Sequence, residues 1–182
     1  MAPSQYRPLP EGIYTPLPTF FNSKEEVNLN EYAKHVRDIA AAGTIPVVAG
    51  SAGESPHLTS DERAALIKTA RETLDASGLG SVPIVAGVGA PSTKETIKLA
   101  HDAKDAGADY AMVLPPGYYA GQLMGPAGRK ALMGYLVDVA EASPLPVVLY
   151  NFPAVSGGID MDSDLIVDVV KASANVVGVK LT

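Results

Sequence analysis

Short apolar segments alternate with amphipathic ones along the chain, and this alternation constrains the fold more than any other feature of the sequence. Most of the six apolar segments are short, rich in Val and Ile and apolar on both faces, which is typical of parallel strands covered on both sides. The six lie at residues 12–17, 44–50, 82–88, 109–115, 145–151 and 175–182. We predict a β-strand at each of them.

Five amphipathic helices are predicted between these strands, because the apolar residues there recur with the 3.6-residue period of an α-helix. The helices begin near residues 29, 60, 93, 126 and 163. Thr59 and Glu62 have the spacing of a capping box, in which each side chain bonds a free backbone N–H at the start of a helix. Ser92 and Glu95 repeat that spacing before the third helix.

The strict alternation of six strands with five helices predicts an α/β fold. The repeat is roughly 30 residues long, which is the unit of a (β/α)₈ TIM barrel; a doubly wound open sheet is the alternative. A dinucleotide-binding loop is not expected, because Ser92 stands where the G-x-G-x-x-G pattern requires its third glycine. We expect residues 1–11 to be a flexible Pro-rich lead-in and residues 12–182 to form one partial TIM-barrel domain that ends in the sixth strand.

The composition excludes several classes of function. The chain has no cysteine, which excludes thiol nucleophiles, disulfides and zinc–thiolate sites. Its formal net charge of −6 argues against nucleic-acid and anionic-membrane partners, since both favour a basic face. No run approaches the ~18 apolar residues of a membrane span, and the N-terminus has no apolar signal core. We therefore predict a soluble, cytoplasmic protein.

Polar residues that follow the strands are the first candidates for a functional site, since the carboxyl ends of the strands carry the site in both α/β architectures. Ser51 and Ala52 follow the second strand in a Gly-rich segment. Its backbone N–H groups could bind an anion such as a carboxylate, or the segment could be a simple turn. Tyr118 and Tyr119 follow the fourth strand and could supply hydroxyls or pack in a core or an interface.

Lys180 is the unusual residue of the sixth predicted strand. Alternation puts it on the face of Gly178, directed into the barrel, whereas the other face is apolar and should meet the helices. That apolar face consists of Val177, Val179 and Leu181. Because a buried ammonium is costly, the lysine either reaches water from the end of the strand or has a chemical role.

The chemical role would be imine formation. A desolvated, neutral lysine amine attacks a ketone, and the protonated imine then accepts electrons from a breaking C–C bond. Gly178 would leave room beneath the imine. Tyr150, on an adjacent strand about 4.8 Å away, could stand beside Lys180 and relay protons.

Five ordered motifs give the chain a resemblance to the dihydrodipicolinate synthase/N-acetylneuraminate lyase family of class I Schiff-base aldolases. They are TPLPTFF, GSAGE (similar to the family's GTTGE), PPGYY, YNFPAVSGG (similar to YN-x-P-x-x-[ST]-G) and GVKLT. The resemblance extends from Gly12 to Thr182 and implies a TIM barrel, a small 2-oxo acid substrate, no cofactor or metal, and a homo-oligomer, either a tetramer or a dimer.

The resemblance also implies roles for individual residues. Lys180 matches the imine-forming lysine and Tyr150 the proton-relay tyrosine. Ser51, with the backbone N–H of Ala52, matches the loop that holds the carboxylate of the α-keto acid. Thr182 matches a position where lyase members contact substrate hydroxyl groups.

The tyrosine that can reach across a subunit interface matches Tyr119, or Tyr118 beside it, because PPGYY contains an extra glycine.

Two departures favour an aldolase over a dihydrodipicolinate synthase. Val155 stands where the synthases carry an arginine that binds the second substrate's carboxylate, a contact worth about 1.5–3 kcal/mol. Ala52 replaces the second threonine of GTTGE. YTPLPTFF and YNFPAVSGG resemble fungal 2-keto-3-deoxy-hexonate aldolases, which yield pyruvate and an aldehyde. The synthase, which joins pyruvate to aspartate semialdehyde, is the alternative.

A complete member of that family has eight βα units, and six strands cannot close an eight-stranded barrel. We therefore expect open edges at the first and sixth strands and an inner sheet face that is open to water. A truncated, inactive fragment or a non-catalytic binding protein is the alternative from another class.

Overall fold

The computed structural model describes residues 7–182, and the first part of the predicted lead-in, residues 1–6, lies outside the described residues. The chain divides into two compact units. The first unit comprises Pro10–Gly87 and Asp102–Tyr110. The second comprises Val88–His101 and Ala111–Thr182, together with the described residues up to Leu9.

The first unit is built on three short parallel strands: β1 (Tyr14–Pro16), β2 (Ile45–Val48) and β3 (Val85–Gly87). Tyr14 pairs with Ile45 and Val47 pairs with Val85. Two helices connect the strands, α1 (Leu29–Ala41) and α2 (Ser60–Ala76), and they turn their apolar faces inward. Val36, Leu66, Ala70 and Leu74 are fully buried there.

The second unit contains β4 (Tyr110–Val113, whose first residue belongs to the first unit), β5 (Val147–Asn151) and β6 (Val176–Leu181). These strands are parallel, with β5 between β4 and β6. Helix α3 (Thr93–Asp105) precedes β4, and α4 (Ala120–Leu123) and α5 (Pro126–Ala142) follow it. Helix α6 (Ser163–Ala172) lies between β5 and β6.

The two predicted helix caps are confirmed. Thr59 Oγ1 accepts a hydrogen bond from the Glu62 N–H at 3.2 Å, and Glu62 Oε2 accepts one from the Thr59 N–H at 2.8 Å. The hydrogen bonds from Thr59 lower the pKa of the Glu62 carboxyl, because they favour its charged form. Ser92 Oγ likewise accepts from the Glu95 N–H at 3.1 Å, at the start of α3.

All six predicted strands and all five predicted helices are present, and the additional elements are short. They are α4 and three 3₁₀ turns at Ser55–His57, Gly117–Tyr119 and Pro153–Val155. Each 3₁₀ turn follows the carboxyl end of a strand. Elements of three or four residues have no measurable apolar period, so sequence patterning does not detect them.

The outer face of β6 differs from the prediction. Val179 is 36% exposed and Leu181 is 66% exposed. The expectation that this face packs against the helices is therefore wrong for these two residues. Among the described strands β6 pairs only with β5, which leaves its second edge open as predicted.

Candidate functional site

Lys180 and Tyr150 are directly paired across β6 and β5. The lysine Nζ is 3.8 Å from the centroid of the Tyr150 ring, so the amine lies on the face of the phenol. A cation within about 6 Å of an aromatic centroid gains about 0.5–2 kcal/mol, less where water screens it. Tyr150 is buried and Lys180 is half-buried. The predicted proximity of these two side chains is confirmed.

A β-bulge in β6 produces this pairing. Val147 of β5 pairs with Val176, but Val148 pairs with Gly178, so one extra residue of β6 is inserted at Val177. Without that insertion, Lys180 would be opposite the residue after Tyr150, whose side chain points to the other face of the sheet. The bulge was not predicted from the sequence, although a glycine inside a strand is a signal for one.

Gly178 allows another side chain to approach β6. A Cβ built on Gly178 would clash with Leu9 Cδ1, which shows that the Leu9 side chain lies against this part of the strand. The expectation that Gly178 leaves room beneath an imine at Lys180 is therefore wrong, because Leu9 fills that room. The lead-in supplies an apolar contact under the inner face of β6, next to Val148.

Asn151, the last residue of β5, fixes the loop that follows. Its Nδ2 donates to Asp160 Oδ1 at 2.7 Å, and its Oδ1 accepts from the Met161 N–H at 3.0 Å. The Thr182 hydroxyl donates to the Asn151 carbonyl oxygen at 3.1 Å, so Thr182 is held at the end of β5. Sequence reasoning missed Asn151; its signal was a polar residue at the end of a buried strand.

Val155 lies in the loop closed by Asn151, and half of its surface is exposed. The buried Ser156 hydroxyl is 2.8 Å from the Phe152 carbonyl oxygen and 3.2 Å from that of Ile159, and these contacts hold the loop. An apolar side chain therefore occupies an accessible position in a well-fixed loop.

Arg129, at the start of α5, is bound to Asp162 at the N-cap of α6. Its Nη1 is 2.8 Å from both carboxylate oxygens of Asp162, and Nη2 is 3.6 Å from Asp168. The guanidinium lowers the pKa of Asp162 through these hydrogen bonds. This cation is thus paired with carboxylates of its own chain.

Tyr118 and Tyr119 lie in the loop after β4, and 82% and 64% of their surfaces are exposed. Their rings pack edge to face with centroids 4.9 Å apart. The structure thus brings Lys180, Tyr150 and Thr182 together at the ends of β5 and β6, whereas both tyrosines project from the β4 loop.

Ser51 and Ala52 lie in a tight turn of the first unit, after β2. The Gly53 N–H donates to the Gly50 carbonyl at 3.1 Å, and the Thr19 hydroxyl donates to the Gly53 carbonyl at 2.7 Å. A Cβ on Gly53 would be 2.9 Å from the Leu17 carbonyl oxygen, so the turn depends on close backbone approach. The backbone of this Gly-rich turn is thus held by hydrogen bonds and by close approach to the Leu17 carbonyl.

No group of three or more His, Cys, Asp or Glu side chains within residues 7–182 could hold a metal ion. No helix within residues 7–182 has the length and hydropathy needed to cross a bilayer.

Comparison with known proteins identifies the family. The dihydrodipicolinate synthetase family matches residues 9–182. The chain belongs to this family. It is 42% identical over 177 residues to "Probable 4-hydroxy-2-oxoglutarate aldolase, mitochondrial" from Emericella nidulans, covering 97% of this chain and 56% of the relative. It is 44% identical over 176 residues to the L-threo-3-deoxy-hexylosonate aldolase of Hypocrea jecorina, covering 96% and 54%.

The fold agrees with this assignment. A crystal structure of a dihydrodipicolinate synthase family protein from Coccidioides immitis superposes with a TM-score of 0.83 at 40% identity, covering all of this chain and 54% of the other. The predicted α/β class and partial TIM barrel are confirmed. The chain spans about half the length of these relatives of the dihydrodipicolinate synthetase family.

Proposed function

We propose that this chain provides the imine-forming part of a class I aldolase that cleaves 2-keto-3-deoxy sugar acids to pyruvate and an aldehyde, or joins the two. The observation that carries the proposal is the Lys180–Tyr150 pair, a primary amine 3.8 Å from the centroid of a buried phenol ring at the carboxyl ends of parallel strands. The aldolase names of its fungal relatives support the same reaction class.

Lys180 is the proposed nucleophile. Its amine adds to the C2 carbonyl of the 2-oxo acid, and loss of water leaves a protonated imine. When the C4 hydroxyl loses its proton, the C3–C4 bond breaks, the aldehyde leaves, and the bonding electrons move into the imine as an enamine. Protonation at C3 and hydrolysis then release pyruvate and restore the amine. The imine is the electron sink, so the proposed route uses no cofactor.

Tyr150 is the proposed proton relay. Its phenol is buried beside the amine, where it can donate to the departing water and accept from the C4 hydroxyl. Because Nζ lies over the ring, rotation of the lysine side chain must bring the amine towards the hydroxyl before a proton passes. Tyr119, or Tyr118 beside it, is the proposed second tyrosine of the relay.

The remaining candidates would bind the substrate. Ser51 and the Ala52 N–H are proposed to hold the substrate carboxylate, since consecutive backbone N–H groups in a tight turn can bind an anion. The Thr182 hydroxyl donates to Asn151, and its oxygen can still accept from a substrate hydroxyl. Val155 is proposed to lie beside the aldehyde half of the substrate.

Reductive trapping tests the proposal. Borohydride added with pyruvate should convert the imine to a secondary amine, and mass spectrometry should place the added mass on the peptide that contains Lys180. Lys180→Ala should show none. Tyr150→Phe should slow adduct formation by about 10²-fold or more, since positioned proton transfer contributes about 10²–10⁴. A folded wild-type chain that gives no adduct would contradict the proposal.

Val155 provides the test between the aldolase and the dihydrodipicolinate synthase. A synthase without its arginine loses about 1.5–3 kcal/mol, which is roughly a 10- to 150-fold loss with aspartate semialdehyde. We expect turnover of 2-keto-3-deoxy sugar acids by the wild type, and a gain with aspartate semialdehyde for Val155→Arg. Turnover by the wild type only with aspartate semialdehyde would refute the aldolase assignment.

A non-catalytic role is the second candidate, and the unpaired edge of β6 favours it. Among the described strands β6 pairs only with β5, and Lys180 is only half-buried, although an active site of this kind must exclude water. A binding protein would take up pyruvate with an affinity that Lys180→Ala does not change. Isothermal calorimetry on both proteins separates the two functions.

Assembly and compartment are parts of the same proposal. We propose a homo-oligomer, dimer or tetramer, and the exposed Tyr118–Tyr119 pair supports an interface at the β4 loop. Sedimentation of the wild type and of Tyr118→Ser tests this. A cytoplasmic location is proposed from the sequence, whereas one fungal relative is named as mitochondrial; cell fractionation distinguishes them.

A further inference from the structure

Two loops beside the proposed site are in close backbone contact. The first, residues 114–124, follows β4 and carries Tyr118 and Tyr119; the second, residues 152–158, follows β5 and carries Val155. Gly117 of the first loop lies against Ser156 of the second: a Cβ on Gly117 would be 2.8 Å from the Ser156 carbonyl carbon and 2.9 Å from its Cα. Real Cβ atoms essentially never approach so closely.

The contact is reciprocal. A Cβ on Gly157 would be 2.6 Å from Ala120 Cβ and 2.7 Å from the Gly117 carbonyl oxygen. That same oxygen accepts the Ala120 N–H, which ends the 3₁₀ turn containing both tyrosines. Gly157 has a φ of +66°, in the left-handed region that favours glycine. Each loop therefore presents a glycine where the other loop's backbone passes.

Each loop is also fixed by its own hydrogen bonds. In the second loop, the Gly158 N–H donates to the Pro153 carbonyl at 2.8 Å, and the Ser156 hydroxyl, 1% exposed as a residue, bonds within the loop. In the first, the Met124 N–H donates to the Ala120 carbonyl at 3.0 Å. Two rigid loops in backbone contact transmit a displacement of one to the other, because close-packed groups have no room to adjust.

We infer that the Gly117–Gly157 contact fixes the position of the tyrosine-bearing turn relative to the loop that carries Val155. It thereby shapes the part of the site that receives the aldehyde half of the substrate. The extra glycine of PPGYY thus has a structural reason: only a residue without Cβ lets the turn lie on Ser156. The kinetic consequence of this inference rests on the proposed aldolase function, whereas the coupling between the two loops does not depend on it.

Two matched pairs of variants test it. Gly117→Ala adds a methyl group at the contact, whereas Gly121→Ala adds one four residues later, where nothing lies within 4 Å. Gly157→Ala and Gly158→Ala both place alanine at positive φ, +66° and +86°, but only Gly157 has close neighbours. Comparison within each pair removes the general effect of replacing glycine with alanine.

Hydrogen exchange measures the coupling without any catalytic assay. Gly117→Ala should make the backbone amides of residues 152–158 exchange about tenfold faster, and Gly157→Ala should do the same for residues 117–124. The control Gly121→Ala should leave exchange in residues 152–158 near wild type, and the control Gly158→Ala should leave exchange in residues 117–124 near wild type. Thermal denaturation shows whether each variant has folded. If either Gly117→Ala or Gly157→Ala fails to fold, hydrogen exchange in the other one tests the coupling. Equal exchange in test and control variants would overturn the inference.

Kinetics measure the positioning. Gly117→Ala should lower kcat/KM for the 2-keto-3-deoxy acid by roughly 10- to 100-fold, because a small displacement of a positioning group is costly. Trapping of pyruvate on Lys180 should fall much less than turnover, because Tyr150 beside the amine lies on β5 outside both loops and pyruvate has no aldehyde half. Equal losses in trapping and in turnover would overturn the positioning role. Absence of wild-type trapping would instead contradict the proposed function, and hydrogen exchange would still decide the coupling.

Discussion

Replacement of Asn175 should test how the second unit is held together. Asn175 immediately precedes β6 and is 3% exposed. Its Nδ2 lies 2.7 Å from the Ala140 carbonyl oxygen, 3.2 Å from that of Ser143 and 3.1 Å from that of Leu145. One amide group therefore binds the end of α5, the loop after it and the approach to β5. The Leu145 carbonyl also accepts from the Ser143 hydroxyl at 2.8 Å, so the Ala140 and Ser143 carbonyls depend more on Asn175.

The expected cost follows from these contacts. An amide NH₂ has two hydrogens, so it makes two full hydrogen bonds or shares them among three acceptors. At about 0.5–1.5 kcal/mol for each bond, Asn175→Ala should lose about 1–3 kcal/mol, because the cost of carbonyls left without a donor is partly offset by removal of the Asn175 Oδ1, which is buried without a partner among the described residues. For a chain of this size that corresponds to a fall in Tm of about 2–12 °C. Asn175→Asp should cost more, because it turns a carboxylate oxygen towards three carbonyl oxygens.

Thermal and urea denaturation, followed by circular dichroism, measure these losses. Asn30→Ala, at an exposed position of α1, is the matched control and should stay within about 0.5 kcal/mol of wild type. If Asn175→Ala behaved like that control, or if Asn175→Asp were as stable as wild type, the hydrogen bonds of Nδ2 would not be holding α5, β5 and β6 together.

Three further predictions concern stability. Thr59→Ala should lower the free energy of unfolding by about 1 kcal/mol in thermal denaturation, because the helix cap is lost. The pKa of Glu62 is lowered in the folded state, so this residue adds stability at pH values above its unfolded-state pKa, and that stability is lost as the pH falls through its folded-state pKa; Glu62→Gln should therefore flatten that part of the stability–pH curve. Gly178→Ala should cost about 1–3 kcal/mol by clashing with Leu9, and adding Leu9→Ala should recover part of it in a double-mutant cycle; strict additivity would exclude the contact. The Tyr32 hydroxyl is buried without a hydrogen-bond partner among the described residues, so Tyr32→Phe should raise stability in urea by about 1 kcal/mol, and a loss of stability would show that the hydroxyl is satisfied.

The fold was predictable from the sequence because its signals are local and repeated. Short Val-rich segments and helices with a 3.6-residue period recur at each βα unit, and Thr59 with Glu62 marks a helix start by spacing alone. The turns that shape the site were not predictable in this way. The 3₁₀ turns at Gly117 and Pro153 are three residues long, and the contact that positions them joins residues forty positions apart in the chain.

For the candidate site, the sequence predicted which residues lie on the inner face of a strand, but not how they pair across strands. Alternation placed Lys180 on an inner face, and strand adjacency placed Tyr150 near it. Their direct pairing depends on the bulge at Val177, which shifts the register by one residue and has no signal beyond the neighbouring glycine. The place of Leu9 under Gly178 was not predictable, since a lead-in of low periodicity carries no information about where it packs.

Imine formation and turnover make different demands on this structure, and the distinction determines what each assay can report. Imine formation needs an accessible amine and a nearby proton donor, which the Lys180–Tyr150 pair can supply within the second unit. Turnover also needs the enamine to be kept from water until it is protonated at the correct carbon. The open edge of β6 and the half-buried position of Lys180 leave the second demand unmet by the described residues alone. The proposal therefore predicts that this polypeptide traps pyruvate readily but turns over 2-keto-3-deoxy acids efficiently only when another polypeptide surface covers β6; efficient turnover by a monodisperse monomer would show that the open strand face is no obstacle.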